Sequence, residues 1–180
     1  MRRRLTIIVS LSALITIPSC QDRKAPQRSA DDPYLTAPLH ASKDIVVRFY
    51  DSTIVRAQLT SRTAFVFEDR KETNLGGGVR VRFFDRTTGK QAAVLTADSA
   101  IIDDKTKDMT AIGHIVVVSD SSQTRLETSR LIWDEKTERI RTNERVRITT
   151  PTEVIEGTGL VSDQFLTDYR LFKVHGVHQP

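Results

Sequence analysis

The sequence predicts an all-β, antiparallel domain built from about four repeated units, each a strand that turns a corner. Three observations predict it. First, Leu59-Thr60-Ser61-x-x-Ala64-x-Val66 recurs as Leu95-Thr96-Ala97-x-x-Ala100-x-Ile102, as Leu126-Glu127-Thr128-x-x-Leu131-x-Trp133 and as Ile155-Glu156-Gly157-x-x-Leu160-x-Ser162. A near-constant period of this size points to repeated supersecondary units that share one apolar face. Second, the apolar or small positions of each copy fall at i, i+2, i+5 and i+7. Period-2 spacing is the strand signal. The step of three adds one residue, as a β-bulge or sharp bend requires. Third, the turn segments repeat with the strands. Asp103-Asp104-Lys105-Thr106-Lys107 and Asp134-Glu135-Lys136-Thr137-Glu138 lie 31 residues apart, as do the strands beside them.

Along the chain, the first element is an address. Met1-Arg2-Arg3-Arg4 is basic, and Leu5 to Ile17 is apolar but too short to span a bilayer as a helix. Residues 1–19 therefore read as a signal peptide ending in Ile17-Pro18-Ser19-Cys20. A lone cysteine after such a segment resembles a bacterial lipobox, which implies cleavage and lipidation at Cys20. A plain secretory signal with an incidental cysteine, or an uncleaved anchor, is the alternative. Cys20 is the chain's one cysteine, so no disulfide can form within it. Residues 20–43 carry Pro26, Pro33 and Pro38 without periodicity and read as a flexible tether.

The folded domain is placed at 44–180, with roughly two strands per repeat. Val79, Val81 and Phe83 alternate with Arg80 and Arg82. Met109, Ala111, Gly113, Ile115 and Val117 share a face. Ile140, Val146 and Ile148 oppose Arg141, Arg145 and Arg147. Gly77 aligns with Gly113 at the repeat offset and marks a bend or close backbone approach. The pattern leaves a closed, self-packed barrel or sandwich and an open, groove-like sheet equally available. The fourth copy is the weakest, with Gly157 and Ser162 in place of larger residues, and predicts a wider C-terminal end.

Composition excludes several functions. The formal charge of +4 falls to about +1 without Arg2, Arg3 and Arg4, and an export signal argues further against a nucleic-acid partner. No catalytic constellation emerges and no cofactor is implied. The paired acids at 103–104 and 134–135 sit in equivalent turns, and Gly76-Gly77-Gly78 lacks the helix a phosphate loop needs. His175 and His178 fall on opposite faces of a strand and make a poor metal pair. Trp133 lies on the apolar face, as a core aromatic or a ligand contact. The arginines opposite that face are a solvated strand surface or partners for headgroup phosphates.

Together the leader, the tether and the repeated strands carry a family likeness. The residues are Gly78-Val79-x-Val81-x-Phe83-Phe84-Asp85, Leu95-Thr96-Ala97-Asp98, Ala111-x-Gly113-x-Ile115-x-Val117, Leu126-Glu127-Thr128-x-x-Leu131-x-Trp133-Asp134 and Glu156-Gly157-x-Gly159-Leu160. Over residues 44–177 the chain resembles the periplasmic LptC component of the lipopolysaccharide export system, in the lipoprotein form of Bacteroidetes-like bacteria. The resemblance implies an open β-jellyroll (OstA-like) with an apolar interior, and no enzymatic activity. It implies transfer of lipopolysaccharide from an inner-membrane ABC transporter along a periplasmic jellyroll bridge toward the outer membrane. The implied partners are the lipid A acyl chains, the transporter's membrane subunits and a bridge jellyroll joined by edge-strand addition. The implied location is the periplasm, lipid-anchored at the inner membrane, with the outer membrane as the alternative. Val79, Val81, Leu95, Ala97, Ile115, Val117, Leu131, Trp133, Val146 and Ile148 are the inward residues expected to meet acyl chains. The competing function is a structural adaptor lipoprotein with a closed β core, acting through its sheet edges alone.

Overall fold

The computed structural model describes residues 38–179. The leader, Cys20 and the tether through residue 37 lie outside the described residues. Ten strands follow: β1 (His40–Asp51), β2 (Ile54–Phe67), β3 (Glu72–Phe84), β4 (Gln91–Ala97), β5 (Ser99–Asp103), β6 (Met109–Ser119), β7 (Thr124–Asp134), β8 (Arg139–Thr149), β9 (Val154–Asp163) and β10 (Tyr169–His178). They form one antiparallel sheet in the order β1-β2-β3-β4-β6-β7-β8-β9-β10, with β5 pairing β3 and β6. β1 and β10 end the path without pairing to each other, so the sheet is not a closed barrel.

β1 starts earlier than the sequence reading placed it. His40, Ala41, Ser42 and Lys43, assigned to the tether, pair with Val66, Phe65, Ala64 and Thr63. Residues 40–44 are all exposed, so they carry no alternation from which a strand could be read.

The step of three in each repeat is a corner shared by the whole sheet. Register slips between Ser61 and Thr63, Ile112 and Ile115, Thr128 and Ile132, and Thr142 and Arg145. β4 and β5 are a single bent path interrupted at Asp98. Each slip restores the alternation on the far side of the bend, so the apolar positions stay inward in both halves. Gly77 and Gly113 serve this corner. Their φ angles are +74° and +80°, which a residue with a Cβ adopts only at a cost. A Cβ on Gly77 would lie 2.9 Å from that of Arg62, and one on Gly113 would overlap the Asp98 carboxylate.

The repeated acids are turn residues. Asp103 Oδ1 accepts from the Thr106 N–H at 3.0 Å and the Lys105 N–H at 2.8 Å. Asp134 Oδ1 accepts from the Thr137 N–H at 2.8 Å. Those bonds stabilise the charged form. The Thr106 amide holds the Asp103 carboxyl below the usual range, and the Thr137 amide does so for Asp134. Such side-chain-to-backbone bonds close the turn locally.

Candidate functional site

The bend divides every strand into two arms, and the arms face each other across an apolar interior. Leu59, Val81, Leu95, Val117, Leu126 and Ile148 come from the arm that ends in the β1–β2 and β3–β4 turns. Ala64, Leu75, Ile102, Met109, Leu131, Trp133, Ile140 and Leu160 come from the other. All are buried in one cluster. Trp133 is 1 % exposed and bridges the arms. Its ring meets Phe49 edge-on at 5.0 Å between centroids, and Phe83 at 5.5 Å. Its indole N–H donates to Gln164 Oε1 at 3.1 Å. Aromatic pairs in this geometry add to the burial of their area.

All ten inward residues named from the sequence are buried: Val79, Val81, Leu95, Ala97, Ile115, Val117, Leu131, Trp133, Val146 and Ile148. The interior they line is filled by the chain's own side chains. Three of them reach the corner, where bulging opens the surface. Val79 and Ala97 line a cleft of about 570 Å³ with Arg62, Gly77 and Arg80. Val146 lines one of about 390 Å³ with Gly157, Arg145 and His175.

The small residues of the fourth repeat have a different reason from the one expected. A Cβ at Gly157 would overlap the Lys173 carbonyl of β10 and come within 2.6 Å of Leu171 Cδ2. Ser162 is fully buried. Gly157 is therefore small because β10 comes so close, and it also lines the cleft of about 390 Å³ beside Val146. His175 Nε2 lies 2.9 Å from Thr158 Oγ1. Outward Arg147 pairs with Glu156 at 3.2 Å.

Several residues of the interior and its rim were not singled out from the sequence, among them Phe49, Gln164, Arg56 and Arg86. Phe49 lies in the alternating run Ile45-Val47-Phe49 and was legible there. Gln164 sits in the β9–β10 turn, outside any periodic pattern. Arg56 was hidden for a specific reason. It alternates out of phase with Ala57 and Leu59, yet it is 7 % exposed. The β1–β2 register slips at this point, with Phe49 opposite Ala57 and Tyr50 opposite Val55. Arg56 is the extra residue, and the bulge turns it toward the opposite arm. There its Nη2 donates to the Glu135 carboxylate at 2.7 Å and to the Glu135 carbonyl at 2.8 Å. Nη1 lies 3.1 Å from Glu138 Oε1. Arg86 joins from the rim, 2.9 Å from Glu138 and 3.4 Å from Asp51. The Glu138 carboxylate pushes the Arg86 guanidinium further up from its already high pKa.

The sheet's two edges are exposed and partly apolar. On β1, Val46 and Tyr50 are about half exposed, and Leu39 just before it is too. On β10, Phe172, Val174 and Val177 are each 56 % exposed. An open edge with unpaired main-chain groups is a template for strand addition.

Comparison with known proteins completes this picture. The sequence matches the family described as "Lipopolysaccharide-assembly, LptC-related" over residues 5–179. Among solved structures the chain is similar to LptH of Pseudomonas aeruginosa, described as the LptA-homologous periplasmic component of the conserved lipopolysaccharide transport device. The TM-score is 0.51 at 14% sequence identity, covering 65% of this chain and 82% of LptH. That likeness carries the open β-jellyroll fold. No curated protein matches the chain. With a match that spans nearly its whole length, this chain belongs to the LptC-related family of lipopolysaccharide-assembly proteins.

Proposed function

We propose that this chain is a membrane-anchored lipopolysaccharide-transfer subunit of the periplasm. It receives the lipid from an inner-membrane ABC transporter and passes it to the next jellyroll of a bridge toward the outer membrane. One observation carries the reading: a continuous apolar interior runs between two unpaired sheet edges. Acyl chains leave water in such an interior, and removal of apolar surface from water is the driving force. The ten inward residues are the contacts, in a state where the arms have parted enough to admit a chain. The edges β1 and β10 would pair with the transporter's membrane subunits and with the bridge protein, stacking the interiors end to end. Lipidation at Cys20 would hold the domain at the membrane, since several buried acyl chains anchor far more firmly than one.

A second reading is favoured by the filled interior: an adaptor that works through its edges and carries no lipid. Co-purification separates the two. The chain is isolated from gently solubilised membranes, and the co-eluting proteins and lipids are identified by mass spectrometry. The transfer reading expects transporter subunits together with lipopolysaccharide in near-stoichiometric amount. Subunits recovered without lipopolysaccharide would establish the adaptor.

A further inference from the structure

Arg56 ties two distant parts of the chain together. It joins β2 to the β7–β8 turn, 79 residues away in sequence, across the open side where no backbone ladder connects the two arms. Trp133 packs against Phe49 and Phe83 close to this bridge. Beside it lies a cavity of about 380 Å³ lined by Val47, Phe49 and Ile102, with Arg48, Lys107 and Glu135 on its polar side. Glu135 belongs to both the cavity and the ion pair. The volume lies within the range of small-ligand pockets, and the apolar wall carries a rim of both signs, Arg48 and Lys107 with Asp104 and Glu135.

We propose that Arg56, held by Glu135 and Glu138, is the latch of a gate over this cavity, and that the acyl chain of an anionic lipid enters the interior here as the latch parts. The inference rests on the lipid-transfer reading above. Two features make the ion pair a latch. Its Nε–H is buried without a partner. An orphaned buried donor is unfavourable, so the closed state is held less firmly than the short contacts alone imply. The guanidinium fork also binds phosphate or carboxylate oxygens in pairs. An anionic headgroup arriving with its chain can therefore replace Glu135 and Glu138 on Arg56 as the arms separate.

Trp133 is the chain's one tryptophan, so its fluorescence reports on the gate without labelling. The full-length chain in phosphatidylcholine nanodiscs is compared with the Glu135→Gln/Glu138→Gln form. The control is Glu127→Gln, which loses an exposed pair with Arg125. Acrylamide quenching measures access to Trp133. Uptake of lipopolysaccharide carrying a spin-labelled acyl chain measures entry. Weakening the latch shifts the population toward the open arms, so quenching and uptake rate should both rise about threefold or more, with the control unchanged. Should the double variant fold poorly, Glu138→Gln alone should move both readouts the same way by less. Uptake at the wild-type rate in the latch variants overturns the latch, whatever the quenching. Absence of uptake by every form overturns the transfer reading, and the port with it.

Discussion

Replacing Trp133 with alanine should lower the unfolding free energy by about 3–5 kcal/mol, the usual cost of truncating a large buried aromatic. The side chain comes from one arm, fills the space between the arms and touches Phe49 and Phe83 on the other. Its loss leaves a cavity that a bent sheet cannot close without moving an arm. It also strands the Gln164 side chain, itself 2 % exposed, whose amide oxygen loses its donor. A domain of this size holds only about 5–15 kcal/mol in total, so the melting temperature should fall by roughly 10–15 °C. Trp133→Phe keeps a ring in contact with both partners and should cost clearly less. Chemical unfolding followed by far-ultraviolet circular dichroism reads the difference. A loss below about 1 kcal/mol would mean that the arms are not packed on each other through Trp133.

Gly157→Val should separate β10 from the sheet while the rest of the domain stays folded. The Lys173 carbonyl and the Leu171 side chain occupy the space a Cβ would need. The Lys173 carbonyl cannot yield cheaply, since it is backbone within the β9–β10 ladder. Overpacking of this kind typically costs about 1–3 kcal/mol. β10 has little to set against that cost, because seven of its ten residues are exposed. Hydrogen exchange should show the β10 amides losing protection by about a hundredfold, with β2 through β8 unchanged. Uniform loss of protection across the sheet would show that β10 is integral to the core and not a separable edge. A detached β10 should also fail to pair with a partner strand.

The repeat makes most of this fold legible in the sequence. Strand alternation placed Leu59, Leu95, Leu126 and Leu160 inside, and the step of three located the corner in each unit. Both signals are local, and both survive because one face must stay apolar through the bend. What could not be read depends on contacts between distant parts of the chain. Arg56 turns inward through a bulge whose partner is β1. Gly157 is small because of a strand that follows it by some fifteen residues. The first residues of β1 are exposed on both faces and so have no pattern to reveal them. The filled interior was also not decidable from periodicity, because a lipid groove and a packed core demand the same apolar positions.

The central claim is that this interior, packed at rest, is the surface that acyl chains follow. Site-specific photo-crosslinking tests it most directly. A photoreactive amino acid is placed at Ile148, which is buried, or at neighbouring Arg147, which points outward, in cells exporting lipopolysaccharide. Strong lipid adducts at position 148 with few at 147 are the result this account predicts. Equal labelling at the two positions would contradict it.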